Sequence, residues 1–112
     1  MIPLLLGALA VGVLIAANWD DIVDWIRDSV AKIKEAFQTW KNKITILVKK
    51  VKEDIITFIE RVRYRENGEV IEKLTEREID ESEVPAEILA RVKGKRKIDV
   101  TEDMSKLMEL EL

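Results

Sequence analysis

The sequence predicts a mainly α fold with a small α+β element at its C-terminal end, and three observations carry that reading. The opening stretch MIPLLLGALAVGVLIAANW has no charged side chain. No Gly or Pro occurs between Gly12 and Gly68, and apolar residues recur through that interval at helical spacing. Asn67-Gly68 then separates two short runs that read as strands, the turn pair favoured where both positions need positive φ. The chain divides accordingly into a hydrophobic helix (1–17), a long amphipathic helix (18–62) and a small α+β element (63–112).

The apolar head has the length of a membrane anchor. As a helix, Met1–Trp19 spans about 28 Å at roughly 1.5 Å per residue, close to the ~30 Å hydrocarbon core of a bilayer. Trp19 then falls at the interface, and Asp20 and Asp21 in water. A cleaved signal peptide would begin with Lys or Arg, which this head lacks. Burial in a protein partner is the other alternative. Ala8, Gly12 and Ala16 recur every fourth residue, so three small side chains share one helical face on which neighbouring anchors would pack.

Beyond the head, charge is segregated. Asp20, Asp21, Asp24 and Asp28 form an acidic collar, and a band of lysines follows. Lys32, Lys34, Lys41 and Lys43 are candidates for lipid-headgroup contact. With no basic residue ahead of the anchor, the bulk of the chain is expected on the cytoplasmic side.

The long helix begins at Asn18, a good N-cap, with Asp residues suited to the positive end of the helix dipole. Its apolar stripe comprises Trp19, Ile22, Ile26, Val30, Ile33, Phe37, Trp40, Ile44, Leu47, Val51, Ile55 and Phe58. A rod of about 45 residues would be about 70 Å long and could not hide this stripe within so small a domain. Self-association or a partner protein is the expected cover. The alternative is a helical hairpin broken near Asn42–Thr45, where the β-branched cluster Ile44-Thr45-Ile46 weakens the helix.

The third segment begins with the Asn67-Gly68 hairpin. Alternation from Phe58 to Glu66 places the helix-to-strand boundary somewhere in 57–63. Val84–Val92 reads as a short helix with Pro85 in its first turn and Gly94 beyond its end. Ile98 and Val100 suggest a third strand, and Thr101-Glu-Asp starts a final segment. Its end, Met108–Leu112, alternates apolar and acidic residues; helix is favoured over strand.

The 112 residues include no Cys and no His, which removes disulfides, thiolate nucleophiles, zinc fingers and every Ser-His arrangement. The acidic pairs Asp80-Glu81 and Glu102-Asp103 lack the convergence of a metal site. Lys93-Gly-Lys-Arg-Lys97 has no interleaved aromatic residue and reads as a solvated turn. No catalysis, cofactor, metal, nucleic-acid partner or small-molecule substrate is expected. The chain resembles small membrane-tethered bacterial proteins only in general outline, and no motif names a family. The reading is a single-pass structural or scaffold protein, non-enzymatic, that forms a homo-oligomer through its long helix. The alternatives are a toxin- or holin-like membrane-permeabilising effector, with a possible pore packed through the small-residue face, and an adaptor subunit whose head inserts into another protein.

Overall fold

A computed structural model describes residues 14–16, 18–92 and 97–110, without the side chains of Leu14 and Val51. In chain order the elements are strand β1 (Leu14–Ile15), helix α1 (Trp19–Phe37), strands β2 (Ile44–Lys52), β3 (Ile55–Glu66) and β4 (Glu69–Asp80), helix α2 (Ala86–Val92), strand β5 (Ile98–Asp99) and helix α3 (Thr101–Leu107). The five strands form one sheet in the order β1-β4-β3-β2-β5. β1 is parallel to β4, and the remaining pairings are antiparallel. The architecture is therefore α+β, and the mainly α expectation is corrected.

The correction has a specific origin. The expected rod of residues 18–62 is three elements, α1, β2 and most of β3. α1 starts where the sequence indicated. Asn18 and Asp21 form a reciprocal capping box, with Asp21 N donating to Asn18 Oδ1 at 3.2 Å and Asn18 N to Asp21 Oδ2 at 3.1 Å. The helix stops at Gln38, which turns left-handed (φ 66°) and donates its N–H to Lys34 O at 2.7 Å. Trp40, 1 % exposed, then anchors the connection, and its carbonyl accepts from Lys43 N and Ile44 N. The broken-helix alternative located the interruption within a few residues but supplied a second helix where there is a strand.

β2 and β3 imitate a helix in sequence because both of their faces carry apolar residues. Ile44, Ile46 and Val48 of β2 are buried on one face, and Phe58 and Ile56 stand beside Val48 and Lys50 on β3. Leu47 and its partner Ile59 occupy the opposite face. Apolar side chains on both sides of a strand yield near-continuous runs that match a 3.6 period as well as a period of two.

The Asn67-Gly68 hairpin forms as its sequence indicates, with φ of 52° and 81°, the positive values that a type I′ turn requires. An added Cβ at Gly68 would meet nothing within 4 Å, so the backbone angle rather than crowding favours glycine there. α2 and β5 also fall where expected. α3 begins at Thr101, and the chain leaves the helix at Met108, so Met108–Leu110 does not continue it; 111–112 lie outside the described residues.

α1 packs across one face of the sheet. Its Ile22, Ile26, Val30 and Ile33 join Ile44, Ile46, Val48, Ile56, Phe58 and Ile79 in a single core. Each fully buried aliphatic side chain contributes about 1.5–3 kcal/mol. Ile88 and Val92 of α2, Met104 of α3 and Met108 extend that core. Val100 N donates to Ile46 O at 2.8 Å, and Ile46 N to Thr101 Oγ1 at 2.9 Å, which ties this end of the chain to β2.

The membrane reading is also corrected. Among the described residues, no helix is long and apolar enough to cross a membrane. The end of the expected anchor is not helical: Leu14 and Ile15 pair with Arg77 and Glu78 of β4. Ala16 is buried in the core and donates its N–H to Glu78 O at 2.8 Å. Ala8 and Gly12, the other two members of the small-residue face, lie outside the described residues. A single-pass N-terminal anchor and the membrane localisation built on it are not supported.

Candidate functional site

The polar group buried with an unmet requirement on the helix-covered face is Glu60, in the middle of β3. In the sheet it lies between Ile46 of β2 and Thr75 of β4. Its side chain points toward α1 and is only 3 % exposed. Ser29, on the third turn of α1, donates its hydroxyl to Glu60 Oε1 at 2.6 Å. Oε2 has no partner among the described residues and is sealed from water. Thr57 Oγ1 is also buried and unpartnered, but it belongs to the opposite face and carries no charge.

Burial dominates the electrostatics of Glu60 and pushes its pKa up from 4.5 to about 7. The Ser29 hydrogen bond and the positive charges of Arg77 and Lys32 pull the other way. Neither cation has moved in to neutralise it. Arg77 lays its guanidinium over the Trp25 ring, 4.7 Å from the centroid, and donates to Glu76 O at 3.3 Å. Lys32 is exposed and shares the groove-lining flank of α1 with Ser29.

Glu60 lines a groove of about 380 Å³ between α1 and the β3–β4 hairpin. The volume falls within the ~300–1,000 Å³ of small-molecule sites. α1 contributes Trp25, Ser29, Lys32, Ile33, Ala36 and Phe37, spaced at three and four residues so that they share a flank of the helix. The sheet contributes Glu60, Val62, Tyr64 and Glu66 from β3, and Lys73 and Thr75 from β4. Phe37 and Tyr64 pack at 5.1 Å between centroids. The groove thus has aromatic and aliphatic walls, a buried carboxyl in its lining, and charges at Lys32, Glu66 and Lys73.

The stripe expected to mediate oligomerisation is largely consumed within the chain. Ile22, Ile26, Val30, Ile33, Trp40, Ile44 and Phe58 are buried in the core, with Trp19 and Phe37 half-buried against it. Trp19 meets Phe58 edge-on at 5.7 Å. Leu47 and Ile55 fall on the other face of the sheet, and the Val51 side chain lies outside the description. The candidate headgroup lysines are not brought together. Lys32, Lys41 and Lys43 line three different cavities, and Lys43 sits 5.2 Å above the Phe37 ring. Lys34 is half-buried in the last turn of α1.

Sequence reasoning passed over Glu60 because residues 18–62 were read as one helix. The signal was present in the alternation of Phe58, Glu60, Val62 and Tyr64. Read as a strand, that run sets one carboxylate in a row of large apolar side chains, which is an expensive place for a charge. Ser29 carries no such signal; its role follows only from where α1 docks.

Among the described residues, no group of three or more acidic side chains is placed to hold a metal ion. Comparison with protein-family models, curated proteins and solved structures gives no match to this chain.

Proposed function

We propose that the protein is a small binding domain whose groove takes a ligand with an apolar body and a polar head directed at Glu60. The observation that carries this reading is the buried carboxyl with one oxygen committed to Ser29 and the other unpartnered, set in the lining of an apolar groove. A buried polar group without a partner costs about 1–3 kcal/mol, more when it is charged. A purely structural domain gains nothing from that cost, whereas a binding site recovers it when the ligand arrives.

Several features support binding rather than catalysis. The chain has no His to act with Ser29. The raised pKa of Glu60 comes from its burial. Most of the stripe from which self-association is expected is covered within the chain, which weakens the motive for it. The groove points to a small-molecule partner that the sequence did not suggest.

The test is a titration with N-phenyl-1-naphthylamine, a neutral apolar fluorophore bearing an N–H. Saturable binding is expected in the native chain, with a loss of at least tenfold in affinity in Ala36→Trp. Ala36 is exposed and lines the groove, so the larger ring fills the cavity without entering the core. Absence of saturable binding, or equal binding by the variant, overturns the proposal.

A further inference from the structure

We infer that the head group of this ligand is a protonated amine, held as an ion pair with the Glu60 carboxylate. This rests on the groove reading above and specifies its chemistry. Three geometric facts support it. Oε1 already accepts a short hydrogen bond from a neutral hydroxyl, so a second neutral donor would still leave a buried charge uncompensated. Oε2 is free, and the terminal torsion of a Glu side chain is broad, so a small rotation turns that oxygen into the groove. Among the described residues, neither cation that acts on the carboxyl forms an ion pair with it: Arg77 lies on Trp25 and the Glu76 carbonyl, and Lys32 lines the groove with its side chain exposed. An ammonium brought by the ligand would pair with the open oxygen, and a charge-assisted N–H···O bond is the stronger kind.

The charged and titratable groups on the packed elements are few. α1 presents Lys32, β4 presents Arg77 and Lys73, and β3 presents Glu66 and Tyr64 farther along the groove. The neighbouring position on β2 is Ile46. No second carboxyl adjoins Glu60 in the sheet to compete for the amine.

Binding is then coupled to a proton. The Glu60 O–H bond breaks, its electron pair stays on the carboxylate, and the proton passes to the buffer while the alkylammonium keeps its own. With the carboxyl titrating near 7, the ionised fraction rises roughly tenfold between pH 6 and pH 8. Alkylammonium groups stay charged throughout this range, as lysine does. The affinity for an amine rises by about that factor.

The experiment is calorimetric titration of the full chain with decylamine, decanol and decanoate, at pH 6 and pH 8, in two buffers of different ionisation enthalpy. Decylamine is expected to bind most tightly, about tenfold more tightly at pH 8 than at pH 6, and to release close to one proton at pH 6. Glu60→Gln is expected to abolish both the pH dependence and the proton release, and to bind decylamine no better than decanol. If decanol matches decylamine and no proton is released, or if decanoate binds best, the amine inference fails while the groove reading stands. If none of the three binds, or if Ala36→Trp binds them as the native chain does, the groove reading itself fails.

Discussion

Glu60 makes the stability of the molecule depend on pH in a direction opposite to that of a salt-bridged carboxylate. Its pKa is raised from 4.5 to about 7, so between those values the folded state binds more protons than the unfolded chain. Its contribution is fully present below about pH 4.5 and is lost as pH rises through about 7. By the linkage relation the total loss is about 3 kcal/mol. Glu60→Gln keeps the shape and the hydrogen-bonding oxygen but cannot ionise. The variant is expected to match the native chain at pH 4.5 and to exceed it by about 2–3 kcal/mol at pH 8, measured by urea unfolding. Asp80 acts in the reverse sense: hydrogen bonds from the Ser82 hydroxyl and backbone N–H lower its pKa. Taking the difference between native and variant chains removes that shared contribution. A variant that shows no advantage at pH 8 would mean that Glu60 is not buried in the charged form.

Among the elements, α1 shows what a sequence conveys well. Its start is written in Asn18 and Asp21, and its buried side in Ile22, Ile26, Val30 and Ile33, because caps and a 3.6 period are local properties. Asn18→Ala is expected to cost about 1 kcal/mol in thermal or urea unfolding, the ordinary value of an N-cap. The end of α1 was not legible: Gln38 takes a left-handed conformation without Gly or Pro to announce it. β2 and β3 were lost for a related reason. Helix or strand is settled there by which surface arrives from elsewhere in the chain. The cluster Ile44-Thr45-Ile46 was the local hint, and it deserved the weight of a strand rather than that of a weak helix. The β3–β4 hairpin was legible from its turn outward, since Asn67-Gly68 specifies the backbone directly. The groove was not, because Ser29 and Glu60 meet only once α1 lies on the sheet.

At the scale of the whole molecule, local and remote pairings are unevenly placed. β3 and β4 zip outward from their own turn, from Glu66–Glu69 to Ile55–Asp80. β1 and β4 are joined at Leu14–Arg77 and Ile15–Glu78, between partners far apart in sequence, with α1, β2 and β3 in the interval. Loop closure of that kind is costly and slow. Backbone amides of the hairpin interior, such as Phe58 and Ile59, are expected to show the strongest protection in native-state hydrogen exchange. Ala16 N–H, which bonds Glu78 O on the outer seam, is expected to exchange through a smaller opening. Equal protection at the two places would show that the sheet opens only as a unit. The same unevenness gives the molecule a temporal order. The hairpin can exist with Glu60 still hydrated, and the carboxyl loses its water only when α1 docks. The proton taken up near neutral pH therefore belongs to docking rather than to strand pairing, so raising the pH should slow the last step of folding and leave the first untouched.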